Sequence, residues 1–471
     1  MQSLKNRKVT VMGIGLHGGG IGTIKFLAKE GAVITATDLR DENKLAPALE
    51  ALKGLPVRFI LGRHDKDDFI EADLIVKNPG VPVNSPWLVL ARAHGIKITS
   101  DIGLFVERNL AFTVGITSTK GKSTTASLIA HILKTAGVAT LLAGNIRISV
   151  LEILPQIKKK DVVVLELSSW QLEDLEGHNW SPQVAAFLNL LPDHLNRYGS
   201  MEEYGESKKL IFKFQTKKDF LVANFDDRYV KTASRNSKSR IKFFSTAGDS
   251  SETPLAVFIN DGRIFSDFFG QTALMNVEDI PLKGRHNTQN VVAAVAAIGA
   301  ILKHPDSPIK DIHADIVREA IISFRPPQGR LEELAVLNGI RYINDTSSTT
   351  PDATYAAINS YPKDRIILIA GGENKNLSYA FLAEEIVKGI KFLILLEGSA
   401  SNALLKELNN LSWNKFIKGI NNLDIAVKEA RARAEAGDIV LLSPGAASFN
   451  LFAHEFDRGD KFKNAVFSIK L

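Results

Sequence analysis

Short apolar runs alternate with amphipathic stretches along the whole chain, the pattern of α/β layers built on parallel strands. Runs at Lys8–Met12, Ala32–Thr37, Ala72–Val76 and Ile96–Thr99 predict four strands, with a helix near Ser85–His94 before the last. A second series starts at Leu110–Val114 and continues through Asp161–Leu167, Ala185–Leu190 and Phe220–Ala223. Within it Leu128, Ile129, Ile132, Leu133 and Ala136 share one helical face that stops at Gly137, and Met201–Phe214 predicts another helix. A third series places strands at Arg341–Ile343, Arg365–Ala370, Phe392–Leu396 and Asp438–Leu442, with helices starting near Pro351, Ser378, Ala400 and Leu423. Residues 236–279 keep no clear period and read as irregular strands or an insertion. The pattern predicts an α/β protein of three domains, 1–109, 110–324 and 325–471.

Composition narrows the class. A length of 471 residues with 45% hydrophobic and 23% charged residues fits a soluble protein with sizeable cores. The longest apolar stretch, Val291–Leu302, is too short to cross a bilayer and reads as a buried helix, so no membrane partner is expected. The absence of cysteine excludes disulfides and thiolate metal sites, and with no apolar segment in MQSLKNRK it points to the cytoplasm. The net charge of +6 gathers partly at Lys158–Lys160 and around Lys231–Lys242, which read as solvated faces rather than a nucleic-acid surface.

The strongest local chemistry is Gly115–Thr125, GITSTKGKSTT, set between a buried strand and an amphipathic helix. Strand, glycine loop, Gly121-Lys122-Ser123-Thr124 and helix is the layout of a phosphate-binding loop. Its N–H groups and helix N-terminus would face phosphates, Lys122 would pair with them, and Ser123 would reach a magnesium ion. One residue more than usual separates Gly115 from Gly121, and a plain polar turn is the competing reading. Glu166 ends the next buried strand, where such folds hold magnesium, although it could also cap a turn. Asp193 and His194 fall at the same edge of the predicted sheet. Lys208 and Lys209 read, by pattern alone, as solvated helix surface.

Gly13, Gly15 and Gly18 form GxGxxG after the first strand, and Asp38 follows where a dinucleotide fold places its ribose-binding acid. Any anion above a doubly wound sheet could use the same turn. A nicotinamide oxidoreductase would use it, but would leave the GKST loop, Glu166 and the third domain without a role.

The ordered set GITSTKGKSTT, GNI (Gly144–Ile146), ELSSWQLE, PDHLNRY, KGRHN, RPPQGRLE, YINDTSST, AGGENK and LLSPGAAS resembles the Mur ligases, ATP-dependent amino-acid ligases of peptidoglycan synthesis. NPGVP and SDIGLF resemble the MurD-type branch of that family. The resemblance implies a Rossmann-like UDP-binding domain, a central P-loop ATPase-like domain and a Rossmann-like C-terminal domain. It implies addition of D-glutamate to UDP-N-acetylmuramoyl-L-alanine through an acyl phosphate, with ATP and Mg2+ consumed or required. Gly15, Leu16, His17, Gly18, Asp38, Leu39, Arg40, Asn78 and Gly80 would hold the UDP substrate, and Asn145 would position substrate or metal. Gly115, Thr119, Lys120, Gly121, Lys122, Ser123, Thr124, Asn287, Arg330 and Asp345 would bind ATP. Ser123, Glu166, His194 and Lys208 would serve the metals, Lys208 after carbamylation, and Lys122, His194 and Lys208 would carry catalysis. Thr349, Lys375 and Ser448 match positions that hold the incoming glutamate. A cytoplasmic monomer with small-molecule partners only is implied, whose third domain closes over the site.

Four positions depart from the family pattern. Ser118 replaces a glycine and Lys120 an asparagine, which bears on nucleotide affinity. Ser347 replaces a lysine and Glu455 an aromatic residue, which bears on the choice between D- and L-glutamate. Related alternatives are an amide ligase with another acceptor or amino acid, and a nucleotide-binding homologue without turnover.

Overall fold

A computed structural model describes all residues except 1–2, 16–18, 147, 195–196, 249–252, 271–272 and 470–471. The described residues group into two compact units, 1–279 with 290–322, and 280–289 with 323–471. Three sheets organise them.

The first sheet holds β1 (Lys8–Met12), β2 (Val33–Asp38), β3 (Val57–Leu61), β4 (Leu74–Lys77) and β5 (Lys97–Ser100), all parallel, in the order β3-β2-β1-β4-β5. The second holds β6 (Phe112–Thr117), β7 (Thr140–Gly144), β8 (Val162–Glu166), β9 (Val184–Phe187), β10 (Phe220–Asn224), β11 (Arg240–Ser245), β12 (Leu255–Asn260), β13 (Arg263–Ser266) and β14 (Met275–Asn276). Its order is β14-β13-β12-β11-β10-β9-β6-β8-β7, parallel from β7 through β12 and antiparallel beyond. The stretch without a clear period therefore extends the central sheet as regular strands.

β6, β8 and β9 are buried throughout, which explains why they read as continuous apolar runs rather than alternating ones. One core cluster joins side chains of the first and second sheets, from Val9 and Ile34 to Leu165, Phe187 and Leu221. The residues Val291–Ile298 of the helix Arg285–Lys303 are buried, as their composition requires.

The second unit carries β15 (Glu332–Leu337), β16 (Ile340–Asn344), β17 (Ile366–Ala370), β18 (Phe392–Leu396), β19 (Phe416–Ile420) and β20 (Ile439–Leu442). Their order is β15-β16-β20-β17-β18-β19, with only β15 antiparallel among the described strands. Helices Pro351–Ile358, Ala380–Val387, Ser399–Asn410, Leu423–Arg431 and Glu455–Phe467 connect and cover it. Strands β3, β7, β15 and β19 and several helices, among them Gly19–Lys29, Glu42–Ala51, Ala314–Ser323 and Glu455–Phe467, add to the elements legible in the pattern.

Candidate active site

Parallel strands deliver their C-terminal ends to one edge, so the loops after β6, β8 and β9 are neighbours by construction. β6 lies between β8 and β9, with Ile116 paired to Glu166 on one side and to Ala186 on the other. After Thr117 the chain turns through Ser118–Gly121 into the helix Lys122–Thr135. Gly121 caps that helix at φ +90°, a left-handed conformation that favours glycine, and a Cβ there would lie 2.2 Å from Asn290 Oδ1.

The loop is held from below by the end of β9. Asn189 accepts the Lys120 N–H at 2.9 Å and returns a bond from its amide to the Lys120 carbonyl at 2.9 Å. Thr119 N–H donates to the Asn189 carbonyl at 3.0 Å, and Leu191 N–H donates to Thr119 Oγ1 at 2.9 Å. Asn189 was not singled out by pattern; the signal was a polar residue ending an apolar strand. Ser118 is buried and its hydroxyl donates within the loop, to the Lys120 carbonyl at 2.6 Å. Its side chain thus braces the turn.

Three clusters form around this loop. Lys122 Nζ donates to the carbonyls of Ser118 and Thr119 at 2.8 and 3.0 Å, and Lys208 Nζ donates to the same Ser118 carbonyl at 2.9 Å. Ser123 Oγ contacts the Glu166 carboxylate, whose other oxygen accepts from Asn145 Nδ2 at 3.0 Å. Lys120 Nζ meets Asp193 Oδ2 at 3.2 Å, and Asp193 also accepts the His194 N–H at 2.9 Å. The His194 ring stands edge-on to Trp170 and Tyr204. Gly115 lies buried within β6 and Thr124 in the first helical turn.

Lys208 overturns its reading as solvated surface, whereas Lys209 keeps a surface role paired to Glu206. On the helix Met201–Lys213, Tyr204, Lys208, Ile211 and Phe212 lie on the buried face, at helical spacing that was available in the sequence. Burial, then the neighbouring Lys122 charge, pushes the Lys208 amine well below its usual value.

The donors suit magnesium: hard oxygens at Ser123 and Glu166, braced by Asn145. Among the described residues no three His, Cys, Asp or Glu side chains gather into a metal cage. Magnesium characteristically takes one or two protein ligands and completes its shell with phosphate and water, so this sparse set fits it.

In the first sheet Asp38 is fully engaged. It accepts from Ile14 N–H at 2.9 Å and Arg40 N–H at 3.0 Å, and it takes the Arg40 guanidinium at 3.0 and 2.8 Å. Arg40 holds its carboxyl below the usual range against the opposing effect of burial. Asp38 therefore fixes the glycine turn and aims Arg40. Asn78 packs against Gly13, its side chain accepts the Gly80 N–H at 3.1 Å, and Leu39 is exposed. Leu16, His17 and Gly18 lie outside the described residues.

In the second unit Asp345 is buried and accepts from Leu331 N–H at 3.1 Å and Ser443 Oγ at 2.8 Å, and from Ser348 Oγ. Burial pushes its carboxyl up to about 6. Lys375 Nζ donates to Thr349 Oγ1 at 3.2 Å, while the buried hydroxyls of Ser347 and Ser448 have no partner among the described residues. Arg458 is fully buried and bridges the Thr346 and Ala446 carbonyls at 2.8 and 3.1 Å, tying together the loops that carry Thr349 and Ser448. Glu455 opens the last helix, and its carbonyl accepts from Thr346 Oγ1 at 2.6 Å. Asn287 Nδ2 caps back to the Lys283 carbonyl at 2.8 Å, and Arg330 N–H donates to the Pro327 carbonyl at 3.2 Å.

A glycine-capped lysine loop with a serine–glutamate pair at the next strand end defines an α/β protein built to handle nucleotide phosphates. Family profiles sharpen the class: "Mur ligase MurD-like, N-terminal domain" matches residues 7–100, "Mur ligase middle domain" 116–298, and "Mur ligase, glutamate ligase domain" 329–445. The chain belongs to the Mur ligase family. It is 38% identical over 470 residues to the UDP-N-acetylmuramoylalanine–D-glutamate ligase of Roseiflexus sp. (strain RS-1), covering 98% of this chain and 99% of that one. The ligase of the same name from Clostridioides difficile (strain 630) is 36% identical, with 99% and 100% covered. Among solved structures, UDP-N-acetylmuramate–alanine ligase from Thermotoga maritima shares the fold at a TM-score of 0.64 and 18% identity, covering 99% of this chain and 100% of that one.

Proposed function

We propose that this chain is an ATP-dependent ligase that joins D-glutamate to UDP-N-acetylmuramoyl-L-alanine, a step of peptidoglycan precursor synthesis. The observation that carries the reading is full-length identity of 33–38% to relatives bearing that activity in their names, together with the phosphate loop, Lys122, Ser123 and Glu166 gathered at one sheet edge.

The chemistry follows from the leaving group. Oxide does not leave a carboxylate, so the acceptor carboxylate oxygen attacks the γ-phosphorus and the bond to the ADP oxygen breaks. The glutamate amine then attacks the acyl carbon, loses its proton, and phosphate departs carrying one former carboxylate oxygen. Lys122 and the loop N–H groups offset the charge that keeps two anions apart. Ser123 and Glu166 would hold magnesium, and His194 with a carbamylated Lys208 would hold a second ion; bound there, the metal would supply further charge neutralisation to the phosphates. A buried amine pushed toward its neutral form is the form that combines with carbon dioxide, which supports carbamylation of Lys208. Gly15, Asn78, Gly80 and Arg40 are assigned to the UDP moiety. Asn287, Arg330 and Asp345 are assigned to the adenine nucleotide, and Thr349, Lys375 and Ser448 to glutamate. The enzyme is placed in the cytoplasm as a monomer.

Phosphate release from ATP, measured with UDP-N-acetylmuramoyl-L-alanine and a panel of amino acids, tests the reading. Release that requires D-glutamate is expected. Release with L-glutamate only would move the specificity, with Ser347 and Glu455 the residues to exchange. ATP binding without release for any amino acid would contradict ligase activity.

A further inference from the structure

The loop after β4 packs against the glycine turn: Asn78 N–H donates to the Met12 carbonyl at 2.8 Å, and a Cβ on Gly13 would lie 2.9 Å from Asn78 Cβ. Lys77, the last residue of β4, is buried beneath this loop. Its ammonium donates to the Val81 carbonyl at 3.3 Å, closing the loop, and meets the buried Asp174 carboxylate at 2.5 Å. Asp174 belongs to the helix Ser169–Leu175, which follows directly on the Glu166 strand end and is fixed by a capping box between Ser168 and Gln171.

That helix also supports the other catalytic candidates. Trp170 stands edge-on to His194 at 5.5 Å between ring centres. Glu173 pairs with Arg197 at 2.9 Å and accepts from Tyr198 at 2.6 Å. Arg197 lies over the Trp170 ring at 4.4 Å and donates to the Pro79 carbonyl at 3.4 Å. Residues 78–81 are therefore tied at two points to the helix Ser169–Leu175, through Lys77 to Asp174 and through Pro79 and Arg197 to Glu173; that helix follows the Glu166 strand end and sets Trp170 against His194.

We propose that Lys77 and Asp174 are positioning residues for the acceptor: the buried pair sets the 78–81 loop, and the UDP-sugar on it, in register with the phosphate loop. The inference rests on the ligase reading above. Stability alone is a poor reason to keep such a pair, because apolar replacements of both partners are often neutral or better. Asp101, lining the cavity beneath the glycine turn with Lys77 and Asn78, adds a second buried carboxyl facing the same ammonium. Burial pushes Asp174 up to about 6 and Asp101 upward as well. What the pair does provide is direction, and an in-line phosphoryl transfer is sensitive to displacements of about an ångström.

The test is the double variant Lys77→Met/Asp174→Leu, compared with wild type for Tm, for kcat and KM of UDP-N-acetylmuramoyl-L-alanine, and for KM of ATP. Expected is a Tm equal to or above wild type with kcat/KM for the acceptor lowered by about tenfold to a hundredfold, and KM for ATP unchanged. A folded variant with wild-type kcat and acceptor KM, or with KM for ATP raised as much as KM for the acceptor, overturns the proposal. Should the double variant not fold, Asp174→Asn is read by the same split between acceptor and ATP. Wild-type protein without turnover in the same assay would count against the ligase reading instead.

Discussion

Lys122 and Lys208 donate to the same acceptor, the carbonyl oxygen of Ser118, at 2.8 and 2.9 Å. Two cationic groups converging on one oxygen repel each other, and the buried partner yields: Lys208 is pushed well below the usual lysine value, first by burial and next by Lys122. In the proposed mechanism Lys122 supplies a charge to phosphate, while burial shifts Lys208 toward its neutral form. Lys122→Ala should lower kcat by about 10²–10³-fold or more in a folded protein, as loss of a transition-state charge contact does. Lys208→Ala should lower activity by about 10–100-fold and be partly restored by a short carboxylate. Undiminished turnover in either variant, measured by phosphate release, removes that residue from the mechanism.

Gly121→Ala places a Cβ at φ +90° and 2.2 Å from Asn290 Oδ1. The backbone alone costs about 1–2 kcal/mol for an L-residue in that conformation, and Asn290 or the loop must shift as well. Expected are a lower denaturation midpoint and a raised KM for ATP. A variant with wild-type KM for ATP would show that the loop geometry does not set phosphate binding.

Ser118→Gly removes the 2.6 Å bond to the Lys120 carbonyl and adds chain freedom. Stability should fall by about 1–2 kcal/mol, read from urea unfolding. KM for ATP should change by less than about threefold, because the loop N–H donors that would face phosphate are retained. A large gain in ATP affinity would instead place the serine side chain in the phosphate path.

Asp345 has its folded value raised from 3.8 to about 6, so the folded protein holds this proton more tightly than the unfolded chain. Its contribution favours folding below about pH 4 and is lost as pH rises through about 6. Asp345→Asn cannot titrate. Relative to wild type it should therefore gain stability between pH 4 and pH 7, by up to about 3 kcal/mol. Unfolding midpoints measured across that range should converge in acid and separate toward neutrality; parallel curves would contradict the burial effect.

The strands that the sequence leaves illegible share one property. β3, β7, β15 and β19 each end a sheet, and their exposure is mixed along the strand, so their residues lack the long buried apolar run of an interior strand. The interior strands β6, β8 and β17, buried on both faces, were legible for the opposite reason. In the site, Lys122, Ser123 and Glu166 could be read because loop chemistry is local in sequence. Asn189, Asn290, Asp174 and the burial of Lys208 depend on long-range packing and become visible only when the strands are side by side. Lys208 is the instructive case, since its place on the stripe with Tyr204, Ile211 and Phe212 outweighs the usual solvation of lysine.

The most direct measurement follows the acceptor oxygen. UDP-N-acetylmuramoyl-L-alanine labelled with 18O in its carboxylate would be turned over with ATP, magnesium and D-glutamate, and both phosphate and nucleotide product analysed by mass. Ligation through an acyl phosphate predicts one 18O in the released phosphate and a glutamyl product that retains one 18O of the acceptor. Unlabelled phosphate, or hydrolysis of ATP with no glutamyl product, would contradict it.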